Sequence, residues 1–283
     1  SSYHPKRLPA ICDAEERMRL FLVTQNAFPD PEAVDNEIEE ICHLVANSPR
    51  HTNITEWDWL TDDWSTYQLF RAVPKHYRAT VKTKASNLLD EYLTSIPSTD
   101  VNSVLDGIAK MGQLATQRDD QFYFWLPIIK LVLQLWFGDD ASLGHRFQSE
   151  FSRDKGVTLS NEPLAFAITT FQFVAKARLV DKIAFASENR DGTDAWGEAY
   201  RENLANLDRL APLTYIYRAA IYSAGLPSSQ HPALALCGQR VHIFGLYTIL
   251  TGLEISSWKL RRNQPSSFKL WRSVDDRDIA GSM

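Results

Sequence analysis

Residues 163–191 read PLAFAITTFQFVAKARLVDKIAFASENRD, an apolar-rich run far longer than a strand that ends in the Asn-Arg-Asp-Gly turn at 189–192. The spacing predicts one long helix from about Pro163 to Asn189. Within its last turns Asp181, Phe185 and Glu188 stand at i, i+4 and i+7, on one face. A carboxylate on an otherwise apolar stripe is costly to bury unless it pairs or binds a cation. Asp181 is therefore a candidate ligand, against the plainer account in which it pairs with Lys182 or another neighbour on an amphipathic helix.

Working outward, helical periodicity dominates almost everywhere. Asp13 is expected to cap a helix running to about Gln25. Asp30-Pro31 supplies a cap and a first-turn proline, and Val34, Ile38, Ile41 and Val45 then mark one apolar stripe. Ser48-Pro49 stops that helix; others are predicted over Ile54–Ala72, Pro74–Ser95, Asp100–Met111 and Arg118–Phe137. Gly138-Asp-Asp140 should start one through Arg153, and helices follow the long one at Asp194–Asp208, Pro212–Ala224 and Pro232–Arg262. No strand-length window alternates, no repeat is visible, and no linker marks a boundary. The expectation is one all-α domain over residues 1–283, with about ten to twelve helices joined by short loops.

Composition narrows the classes. The chain of 283 residues is 44% hydrophobic and 23% charged, ordinary for a globular protein with a sizeable core. A net charge of −5 speaks against a nucleic-acid coat, so no nucleic-acid partner is expected. Neither GxGxxG nor GxxxxGK[ST] occurs, and no GxSxG or HExxH supports a hydrolase. Cys12, Cys42 and Cys237 are widely spaced and odd in number, which fits neither a disulfide framework nor a zinc site and points to a reducing, cytoplasmic compartment. No apolar segment follows the first residues as in a signal peptide, and the most apolar window, Phe122–Phe137, is too short to span a bilayer. Membrane insertion is not expected, and the chain should be a monomer or homodimer.

Two further stretches carry candidate chemistry. Residues 56–67 read EWDWLTDDWSTY, in which Asp58 and Asp62 share a helical face and Asp63 adjoins them. Hard oxygen ligands on one edge suit Mg²⁺, which takes one or two carboxylates and completes its shell with water and phosphate. The plainer account is an acidic first turn complementing the helix dipole, with the tryptophans in the core. Near the end, GLEISSWKLRR at 252–262 places Ile255, Lys259 and Arg262 on one face, with Arg261 beside them. Cations in a last turn complement the dipole; they would equally clamp a diphosphate, lysine as a point charge and arginine as a fork. Between these stands Arg146, which is otherwise an ordinary surface arginine.

The order of these features resembles class I terpene cyclases, all-α enzymes of about this size. Their first acidic motif is matched by Asp58-x-x-x-Asp62, and their second, on a late helix, by Asp181 through Glu188. Their C-terminal glycine, tryptophan and arginine signature is echoed by Gly252, Trp258 and Arg261-Arg262, and His231-Pro-Ala-Leu is similar to its lead-in. Lys182, Phe185 and Asn189 replace second-motif ligands, and Asn263 replaces a tyrosine, so the chain looks like the atypical fungal cyclases of the humulene-forming sesquiterpene type.

The resemblance implies a bundle around a central apolar cavity and ionisation of a prenyl diphosphate, farnesyl diphosphate first among them. Asp58, Asp62, Asp63, Asp181 and Glu188 would hold Mg²⁺, while Arg146, Ile255, Lys259 and Arg262 would bind substrate. Lys259 would help stabilise the departing diphosphate, and the ring of Phe185 the carbocation. Asp119-Asp120 is an alternative ligand pair. Two other readings remain open: a chain-elongating prenyl transferase, which the weak second motif disfavours, and a non-enzymatic helical protein such as a viral nucleoprotein or coat subunit.

Overall fold

The computed structural model describes residues 8–51, 64–109, 126–153, 158–179 and 193–225. The chain divides into two compact units, Ser1–Leu236 and Cys237–Met283, and every described residue belongs to the first. The fold is all-α: 83% of the described residues are helical, and the only sheet among them has two strands.

Helix α1 (Leu8–Thr24) starts earlier than its sequence suggests. Pro9 sits in the first turn, where its missing N–H costs nothing, and the buried stripe of Ala10, Ile11, Ala14 and Met18 begins at once. Asp13 is therefore inside the helix instead of capping it. Helix α2 (Pro31–Ala46) has the expected start, with Asp30 Oδ1 accepting from the Ala33 amide at 2.8 Å. Its stripe of Val34, Ile38, Ile41 and Val45 packs on α1 in one apolar cluster. A single 3₁₀ turn, Pro49–His51, follows.

Helix α3 (Trp64–Thr94) runs straight through Pro74, where a helix boundary was expected. Proline removes one ladder hydrogen bond and crowds the preceding turn. Here both halves are anchored: Phe70 and Val73 lie in the α1–α2 cluster, and Val81, Ala85, Leu88 and Leu89 are buried beyond the proline. Next come α4 (Val101–Ala109) and α5 (Leu126–Trp136). Residues 143–153, expected as one helix, form the short helices α6 (Leu143–Arg146) and α7 (Gln148–Phe151) and then strand β1 (Ser152–Arg153). β1 pairs antiparallel with β2 (Thr158–Leu159), Ser152 opposite Leu159. Strands of two residues are too short to leave an alternating pattern.

The centre of the unit is α8 (Asn161–Leu179), which packs against α1, α3, α4, α5 and α9 (Thr193–Arg209). Every residue from Pro163 to Ala175 is buried, so this stretch has no solvent face, and the last turn, from Lys176, reaches water. Its polar side chains find partners inside the protein. Asn203 Nδ2 donates to Thr169 Oγ1 at 2.9 Å and to Gln172 Oε1 at 2.8 Å. Asn161 donates to Asp208 at 2.7 Å and accepts from the buried Arg218 at 2.9 Å. Arg218 lies on the last described helix, α10 (Ala211–Gly225). Arg153 of β1 bonds both Asp208 and Glu162 at 2.9 Å, tying the hairpin to α8 and α9.

Candidate functional site

Of the residues singled out as catalytic, substrate-binding or metal-binding, Arg146 alone lies among the described residues. It ends α6 and forms an ion pair with Glu16 of α1. Both belong to an open groove of about 430 Å³ lined also by Pro9, Cys12, Asp13, Glu15, Arg19, Arg50 and His51. The groove is polar. Glu15 pairs with Arg19 at 3.1 Å, and the nearly buried Asp13 and His51 meet at 3.2 Å. A carbocation needs a dry, apolar enclosure; this groove offers alternating charges open to water. The Arg146 side chain is 40% exposed, and an exposed pair of this kind contributes about 0–1 kcal/mol. Among the described residues no three His, Cys, Asp or Glu side chains stand together as metal ligands.

Asp58, Asp62, Asp63, Asp181, Phe185, Glu188, Ile255, Lys259 and Arg262 lie outside the described residues, as do Asp119 and Asp120. The helix ends that lead to the two acidic stretches are described. Asp63 adjoins Trp64, the first residue of α3, and Asp181 follows Leu179, the last of α8, by two positions. The rings of Tyr77 and Phe166 meet at 6.4 Å, and further along Arg178 bonds Ser86 at 2.9 Å and Asp90 at 2.7 Å. Both chains therefore advance in the same direction, and α3 and α8 are parallel. Trp64 lies thirteen residues before Tyr77 and Leu179 thirteen after Phe166, about 20 Å each way at 1.5 Å per residue. Trp64 and Leu179 stand at opposite ends of the pair, roughly 40 Å apart before any bend at Pro74.

A different surface feature matches none of these motifs. From Trp64 to Leu89, α3 carries no carboxylate, yet it bears Arg71, Lys75, His76, Arg78, Lys82 and Lys84. Arg71, Lys75, Arg78 and Lys82 recur at i, i+4, i+7 and i+11 and so share one edge. Arg71 pairs with Asp35 at 2.9 Å. Arg78 lies over the Phe28 ring, 5.6 Å from its centroid, and donates to the Ala27 carbonyl at 3.3 Å. Burial lowers its pKa, because a cation there has lost water without gaining an acid. Phe28 also touches Trp196 (5.6 Å), whose ring stacks on Phe173 at 3.8 Å with Lys176 above at 5.2 Å. The signal was readable in the sequence as a basic run with no acids; a net negative charge hid it by averaging over all faces.

Residues 13–210 match the family model described as Domain of unknown function (DUF6532), and the chain belongs to that family. No curated protein and no solved structure matches it.

Proposed function

We propose that this member of the DUF6532 family is a non-enzymatic helical binding protein, in preference to a metal-dependent cyclase. The observation that carries this reading is the separation of Trp64 from Leu179 along the parallel pair of α3 and α8. A cyclase needs both acidic stretches at one cavity mouth, where shared Mg²⁺ ions neutralise a single diphosphate. Helices that deliver those stretches from opposite ends do not favour that meeting. The ion-paired, water-exposed setting of Arg146 supports the same view. No helix among the described residues is long and apolar enough to cross a membrane, so the partner is sought off the bilayer core.

The second reading is the class I terpene cyclase, with Mg²⁺ at Asp58, Asp62, Asp63, Asp181 and Glu188 and a prenyl diphosphate held by Ile255, Lys259 and Arg262. The all-α architecture and the order of these residues favour it. One experiment separates the two: the full chain is incubated with geranyl, farnesyl and geranylgeranyl diphosphate plus Mg²⁺, and diphosphate release and volatile products are measured. The binding-protein reading expects neither. A hydrocarbon product that disappears in Asp62→Asn and Lys259→Ala overturns it in favour of the cyclase.

A further inference from the structure

The cationic edge of α3 is linked by ring contacts to an aromatic cluster in which Phe28 and Trp196 are half-buried and Phe173 is buried. The links run from Arg78 to Phe28, from Phe28 to Trp196 at 5.6 Å, and from Trp196 to Phe173 with Lys176 above. Arg201 of α9 joins them: a Cβ built on Gly197 would lie 3.5 Å from Arg201 Nη1 and 3.8 Å from Phe28 Cβ. Helices α3, α8 and α9 thus each bring a cation to this cluster, Arg78 over Phe28, Lys176 over Phe173 and Arg201 near Phe28, with Lys75 one turn before Arg78.

Four of these cations stand without an ion-paired acid. Among the described residues no carboxylate lies within ion-pair distance of Lys75, Arg78, Lys176 or Arg201, although Glu198 and Glu202 flank Arg201 on its own helix. Several other basic side chains of the unit are matched: Arg71, on the same edge of α3, with Asp35, Lys130 with Glu91, Arg153 with Glu162 and Asp208, and Arg178 with Asp90. In a chain with five more acids than bases, these four cations gather positive charge around one aromatic cluster, with Glu198 and Glu202 the acids beside Arg201 on α9. Spread along these helices, the cations offer an arriving polyanion a run of positive charge.

We infer that this face of α3, α8 and α9 binds single-stranded nucleic acid, with Lys75, Arg78, Lys176 and Arg201 on phosphates and the half-buried Phe28 and Trp196 rings beside the bases. Guanidinium forks suit phosphate oxygens, and aromatic rings interleaved with cations give flat bases a surface without demanding a sequence. An acidic peptide would use the cations and leave the rings idle, which is why nucleic acid is the better fit. The inference supplies a partner for the binding-protein reading and rests on it only in part: turnover of a prenyl diphosphate would overturn that reading and leave this face untouched.

Neutralising about four phosphates of a single strand gives a slope near −3 in log affinity against log salt, so binding should weaken about 50-fold from about 50 mM to about 200 mM salt. The test is fluorescence anisotropy of the full chain with a labelled single-stranded oligouridylate, across that range. The expected result is saturable binding with that steep slope. Lys75→Glu/Lys176→Glu, both exposed positions, should lose at least about tenfold in affinity with circular dichroism unchanged. Lys75→Gln/Lys176→Gln serves if the glutamates disturb folding. Lys84→Glu, on another side of α3, should bind within about twofold of the parent. Absence of binding at low salt, equal loss in Lys84→Glu and the double variant, or tighter binding of polyglutamate than of the oligonucleotide would each overturn the inference.

Discussion

The indole Nε1 of Trp136 donates to the hydroxyl of Tyr77 at 2.8 Å. Trp136 is fully buried, so this bond fixes α5 to α3 through a donor that has no water to fall back on. Tyr77→Phe keeps the ring contact with Phe166 and strands that donor. The expected cost is about 1–3 kcal/mol, read as a lower urea midpoint at unchanged slope. An unchanged midpoint would mean that Trp136 finds another acceptor.

Phe137 is held between two glycines. A Cβ on Gly144 would collide with the Phe137 ring and with the backbone carbonyl of Trp136, and a Cβ on Gly225 would meet the same ring. A ring can swing aside, but a helical carbonyl cannot. Gly144→Ala should therefore destabilise by about 1–3 kcal/mol, and Gly225→Ala by less. Thermal unfolding of the two variants side by side checks the order.

Glu37 of α2 has its carboxyl pushed up to about 7, first by burial and then by the nearby charge of Glu40. The native state then holds a proton that the unfolded chain releases near the ordinary value of 4.5. Stability should fall as pH rises from about 4.5 to about 7. Glu37→Gln removes this component. Its melting temperature should match the parent near the bottom of that window and exceed it above the top; curves that stay parallel would sink the assignment.

Of the two described thiols, Cys12 is exposed and Cys42 is buried. Burial, with a smaller push from Glu39, raises the Cys42 thiol to about 12. Because the thiolate is the reactive form, iodoacetamide near pH 8 should alkylate Cys12 in the native protein and reach Cys42 only after unfolding. Peptide mapping distinguishes them, and labelling of both at one rate would contradict the burial of Cys42.

Much of the fold was legible where chemistry is local. Asp30-Pro31 and the stripe from Val34 to Val45 announce α2, and the cap and burial match. Legibility failed where distant packing decides. Pro74 predicts a break, because the sequence does not show that Phe70 and Val81 are buried on either side of it. Asp13 looks like a cap in the sequence, because its partner His51 lies far along the chain. The β1–β2 hairpin leaves no periodic trace at two residues per strand. For the site, spacing can place Asp58 beside Asp62 in a predicted helix, but no spacing says whether that stretch meets the one around Asp181. The parallel course of α3 and α8 comes from contacts such as Arg178 with Asp90.

A helical stretch without a wet side has a bearing on how this protein can fail. From Pro163 to Ala175, α8 is surrounded by other elements, so peeling away a neighbour uncovers a mostly hydrocarbon surface, interrupted by Thr169 and Gln172 where α9 packs. Partial opening should accordingly end in clumping of chains, not in a soluble loosened state, and heat inactivation should depend on protein concentration.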